Sequence, residues 1–108
     1  MPKYIMLANW TNQGVQNIKD SPKRLAAAKV TAKAFGGRLE GFYMTMGTHD
    51  MVLVADMPSD DAMAKFILTV SHAGNVRTTS LKAFTESEYQ EIVASLGKSD
   101  RAKKKKKK

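Results

Sequence analysis

The sequence predicts an α+β fold of element order β-α-β-β-α-β, followed by one more helix. Three observations predict it. Two helix-period segments alternate with four short β-type runs between Lys3 and Phe84. Gly47 separates two of those runs and marks a hairpin in the middle of the chain. The first and third runs are apolar at nearly every position, as suits central strands covered on both faces.

Lys3 to Trp10 (KYIMLANW) is the first strand. Thr11 to Gly14 follows as a loop, and Val15 to Ile18 makes one helical turn. Ser21-Pro22 opens a helix, because Ser accepts from orphan amides and Pro at the first helical position loses no hydrogen bond. This alanine-rich helix runs to Phe35 with Leu25, Ala28, Ala32 and Phe35 on one face, and Gly36-Gly37 ends it. Arg38 to Met46 and Met51 to Met57 are the second and third strands. Ser59 caps the next helix, and Asp60 and Asp61 suit the positive end of its dipole. Met63, Phe66, Ile67 and Val70 form its apolar face, and Gly74 stops it. Val76 to Phe84 is the fourth strand. Thr85-Glu86-Ser87-Glu88 is a capping box, with Phe84 and Tyr89 placed as a hydrophobic staple. The last helix carries Tyr89, Ile92, Val93 and Leu96 on one side and ends at Gly97.

This is the order of a ferredoxin-like split βαβ sandwich. Right-handed crossovers place the first and third strands at its centre. Tyr4, Met6, Ala8 and Trp10 then point one way and Ile5 and Leu7 the other, while Val52 and Val54 oppose Met51, Leu53 and Ala55. Two crossover helices cover only one face. A second copy of the sheet covers the other, so a face-to-face homodimer, or a multiple of it, is expected.

Composition agrees with one folded domain over residues 1–97 and a separate tail over 98–108. Of the 108 residues, 43% are hydrophobic and 26% charged, ordinary for a globular domain. No apolar run approaches the ~18–20 residues of a membrane span, and the N-terminus lacks a signal-peptide pattern. The absence of cysteine excludes disulfides, thiolate catalysis and Cys-ligated zinc, and a cytoplasmic setting is expected. The net charge of +8 belongs to the tail: up to Gly97, ten Lys and Arg stand against nine Asp and Glu. Residues 98–108 read as disordered. Their lysine run suits loose, non-specific contact with a polyanion through counterion release. The plainer reading is a solubility tail.

Several blocks resemble the GYD domain family. They are Met1 to Ile5, Asn17 to Arg24, Gly41 to Gly47, Gly74 to Thr78 and Ala83 to Glu86. The family's hallmark is a Gly followed, after one residue, by Tyr-Asp. Gly47 and Asp50 match it, whereas His49 stands where Tyr is expected. The resemblance covers residues 1 to about 96. It implies a dimeric α+β barrel in which two ferredoxin-like sheets enclose a pocket. It implies no established reaction.

The chemistry is sparse. His49 suits a general base or a metal ligand, since imidazole titrates near neutrality, and Asp50 would orient it. Adjacent strand residues point to opposite faces, however, and a turn Asp commonly binds backbone amides. His72 in the last turn of the second long helix complements its dipole. No His spacing for a metal exists, and neither metal nor cofactor is expected. The leading expectation is a pocket for an apolar or aromatic small molecule, contacted by Trp10, Tyr43, Thr45 and His49. The alternatives are a cofactor-independent monooxygenase or isomerase using His49, and an oligomeric interaction module with a polybasic tail. Met6, Met44, Met46 and Met51 are expected to fill core gaps.

Overall fold

The computed structural model describes the backbone of residues 1–107 and the side chains of residues 1–97. Four strands, β1 (Lys3–Trp10), β2 (Arg38–Met44), β3 (Met51–Asp56) and β4 (Val76–Ala83), form an antiparallel sheet of order β2-β3-β1-β4. Helices α2 (Ser21–Ala34) and α3 (Asp60–His72) pack on one face. This is the ferredoxin-like arrangement, with β1 and β3 central as expected.

Alternation decides what is buried. Tyr4, Met6 and Ala8 of β1 meet Met51, Leu53 and Ala55 of β3 beneath the helices. Ala32 of α2 and Met63 and Phe66 of α3 close this core, with Phe66 only 1% exposed. Burying such a ring is worth about 2–3 kcal/mol. On the opposite face Ile5 pairs with Val54 and Leu81, and Leu7 pairs with Val52. Directly paired residues share a face, so these five make one apolar patch, half-buried except for exposed Leu81. No element covers it among the described residues.

Helix ends follow local chemistry. The Thr11 side chain accepts from Gly14 N at 3.1 Å, so α1 (Asn12–Gln16) starts three residues before the predicted turn. A 3₁₀ turn (Ile18–Asp20) then leads into α2, whose cap position is Asp20 and not Ser21. Ser59 caps α3 through Ala62 N at 3.1 Å. The capping box forms in full: Thr85 N donates to Glu88 Oε1 at 2.8 Å, and Glu88 N to Thr85 Oγ1 at 3.1 Å. Beyond it α4 (Glu86–Lys107) continues through Gly97, where a stop was expected. A Gly inside a helix costs only ~1 kcal/mol, and Ala and Lys rank high as helix formers. Residues 84–97 are exposed along their whole length.

Two methionines depart from expectation. Met6 and Met51 lie in the core, but Met44 and Met46 are exposed, Met46 to 94%. They sit where β2 runs out into the hairpin loop, beyond the reach of either helix.

Candidate functional site

The hairpin that carries His49 and Asp50 is held by backbone bonds. Gly47 takes a φ of 149°, a region that favours glycine, so the chain can reverse there. Thr45 N donates to Asp50 O at 2.8 Å, and Thr45 Oγ1 donates to His49 O at 2.6 Å. Asp50 is a splice between strands. Its N–H points to Ala8 O (3.0 Å) and Asn9 Oδ1 (2.9 Å), and its Oδ2 accepts from Trp10 N at 3.1 Å. That carboxylate satisfies an amide at the end of β1 which the ladder leaves open. No hydrogen bond joins the side chains of His49 and Asp50; His49 Nδ1 is buried without a partner.

The four residues expected to share a pocket are distributed within one chain. Trp10 lies under the helices. Tyr43 pairs with Val52 on the opposite face and is 64% exposed. Thr45 and His49 belong to the loop beyond β2. Among the described residues no group of three or more His, Cys, Asp or Glu is placed to hold a metal ion.

Trp10 instead lines a cavity of about 240 Å³ between the sheet, α2 and α3. The reason is small side chains facing one another. Ala8 on β1 meets Ala27, Ala28 and Thr31 on α2, with Ala73 at the end of α3. Close-packed cores leave few voids of this size. Met6, Phe42, Leu53, Phe66 and Val70 give it apolar walls, while Ser21, Arg24 and Asn75 gather where α2 and β4 begin. Arg24 is anchored there: Nη1 donates to Asn17 O at 2.8 Å and Nη2 to Gly14 O at 3.3 Å. Gly14 is required at this point, since a Cβ would stand 2.1 Å from Asn75 O. The small residues that make the cavity, Ala8, Ala27 and Ala28, lie on separate elements and signal nothing in sequence until sheet and helix face each other.

The opposite end of the sheet is charged and closed. Asp56, 7% exposed, accepts from Lys3 Nζ at 3.0 Å and Arg38 Nε at 3.1 Å, and Lys3 also pairs with Glu40. Burial alone would raise the Asp56 pKa; the hydrogen bonds and charges of Lys3 and Arg38 outweigh it and hold the carboxyl below its ordinary value. Beneath the helices the Tyr4 hydroxyl donates to Asp60, which Lys82 also approaches at 3.3 Å. Desolvation, then the Asp60 bond, pushes the Tyr4 phenol up to about 12. At this end cations and carboxylates are paired with one another.

Comparison with known proteins agrees with this geometry. A protein of Thermus thermophilus named glutamine synthetase and cystathionine beta-lyase binding protein is 27% identical over 84 residues, covering 77% of this chain and 88% of the relative. A feast or famine regulatory protein from M. tuberculosis, solved in complex with L-methionine, shares the fold with a TM-score of 0.61 at 19% identity. That match covers 79% of this chain and 51% of the other, so the chain spans about half that regulator's length. The sequence profile of the GYD domain matches residues 4–93. The chain therefore belongs to the GYD domain family.

Proposed function

We propose that this chain is a binding protein that holds a small, mainly apolar molecule and works as a homodimer joined through its open sheet faces. The cavity beneath α2 and α3 carries the first part: it is apolar in its walls and polar at one end, the usual make-up of a ligand site. The uncovered patch of Ile5, Leu7, Val52, Val54 and Leu81 supports the second. The fold relative solved with L-methionine makes that amino acid a first compound to try. Native mass spectrometry of protein purified from its own host tests the reading. A retained small molecule supports it; bare protein that shows no thermal shift with L-methionine or a panel of apolar compounds overturns it.

A second reading is a module that docks on metabolic enzymes, as the name of the Thermus relative states for that protein. It is favoured by the apolar stripe of α4, where Tyr89, Ile92, Val93 and Leu96 are all exposed. Binding to purified glutamine synthetase of the same organism, lost in Ile92→Asp, would establish it. Undiminished binding in that variant would move the contact elsewhere. For a reaction at His49 the geometry offers less, because no neighbouring group bonds its Nδ1 to fix the tautomer.

A further inference from the structure

We propose that the cavity takes a monocarboxylic acid with an apolar body of roughly ten heavy atoms, its carboxylate held by Arg24. This rests on the small-molecule reading above and adds the ligand's size, headgroup and orientation.

Size follows from volume. A dry cavity of about 150 Å³ accepts benzene, and this one measures about 240 Å³. The walls decide the body: Met6, Leu53, Phe66 and Val70 carry no hydrogen-bonding group. Of the three threonines in the lining, Thr31 and Thr69 donate their hydroxyls to Ala27 O and Lys65 O, which leaves Thr78 as a lone hydroxyl among them. Among the described residues, Arg24 is the one charged side chain in the lining.

Arg24 decides the headgroup. Two of its N–H groups donate to the Asn17 and Gly14 carbonyls, and it takes part in no ion pair among the described residues. A guanidinium has five N–H donors, so three remain for an anion. The two backbone bonds also hold the fork in place, which lowers the ordering cost of binding. Two carbonyls at the end of α3 each accept one hydrogen bond from the protein, which reduces the repulsion a carboxylate would meet there. Ala73 O accepts from Gln13 Nε2 at 2.9 Å, and Gly74 O from Thr11 Oγ1 at 2.5 Å. Asn75 Oδ1 likewise accepts from Gln13 Nε2 at 3.1 Å, which leaves Asn75 its Nδ2 donors. Arg24 thus brings three N–H groups without a protein acceptor to this end, and its charge has no ion-pair partner among the described residues.

The chain's single tryptophan lines the cavity and reports on it. Trp10 fluorescence is titrated with octanoate, octanol and octylamine, which share one tail length and differ in headgroup. Octanoate is expected to bind at least about tenfold tighter than the other two, the usual worth of a charge-assisted pair. Arg24→Met should erase that preference and leave octanol affinity unchanged, whereas a merely structural Arg24 would weaken both alike. Arg24→Lys keeps the charge without the fork and should retain part of the preference, which guards against misfolding of the Met variant. Ala28→Leu should weaken all three by filling the space. Equal binding of octanoate and octanol would overturn the headgroup assignment while leaving the cavity reading in place. No change in Trp10 emission with any compound, in wild type or Ala28→Leu, would overturn both.

Discussion

The two faces of one sheet use the same strands for opposite ends. On the covered face, Tyr4, Met6 and Ala8 are at most 5% exposed, and the side chains opposite them on α2 are small. On the open face, Ile5, Leu7, Val52 and Val54 are branched, half-buried by one another and flat. The first surface lies under two helices and frames a cavity that opens partly to solvent; the second has no cover among the described residues. A void between helices and sheet suits a small molecule, and a flat branched patch suits another sheet. The proposed ligand and the proposed partner copy are thus assigned to opposite sides of a single layer.

The largest effect should come from breaking this division at its core. Phe66→Ala removes the most buried large ring of α3 and should destabilise the fold by about 3–5 kcal/mol in denaturant titration. Leu7→Lys on the open face should leave the helical and sheet content intact. Its effect belongs to association: sedimentation should change from dimer to monomer. A wild-type chain that sediments as a monomer at micromolar concentration would end the sheet-to-sheet proposal. Equal stability loss in both variants would show that the two faces do not differ.

An intermediate effect is expected at the charged end of the open face. Asp56 is buried against Lys3 and Arg38, so Asp56→Asn leaves two cations without their acceptor. A fully buried pair would cost about 3–5 kcal/mol to break. Arg38 is 64% exposed, and solvent screening reduces the expected loss to about 2 kcal/mol. The pH dependence has a definite sign. Because the folded carboxyl titrates below its unfolded value of about 3.9, its contribution is complete above that pH. It disappears as pH falls through the folded pKa. Melting temperature should therefore drop faster below about pH 4 in wild type than in Asp56→Asn; parallel acid profiles would show that the pair carries no linkage.

How much of this was written in the chain depends on the range of the interaction. Alternation along Tyr4 to Trp10 and Met51 to Ala55 is local, so both faces of the sheet were legible, as were the Ser59 cap and the Thr85–Glu88 box. The cavity was not, because it arises where Ala27 and Ala28 meet Ala8 across two layers. Neither was the partner of Asp50, a backbone N–H forty positions away at Trp10. The irregularity between Leu39 and Gly41 has no local turn signal either, yet it lets Arg38 pair with Asp56. Periodicity reports which side a residue is on. It does not report what stands opposite.

The smallest effect should appear at the hairpin, where this chain carries His49 at the position for which the sequence resemblance leads one to expect Tyr. His49 Nδ1 is buried and unpaired, an arrangement that costs free energy without holding the loop. The loop itself is tied by Thr45 N to Asp50 O and by Thr45 Oγ1 to His49 O, bonds that use only backbone groups of positions 49 and 50. His49→Tyr removes the unpaired nitrogen and keeps a planar ring, so stability should change by no more than about 1 kcal/mol, in either direction. Asp50→Asn provides the control. Its amide oxygen can still accept from Trp10 N, so the loss should also stay within about 1 kcal/mol. Both variants should keep the Trp10 response to ligand, since neither position lines the cavity. If His49 instead served as a base, the Tyr variant would lose turnover between pH 6 and 8 while melting like wild type, because a phenol ordinarily titrates near 10. That pattern, activity lost with stability and Trp10 response retained, would move the functional centre from the covered face to the hairpin.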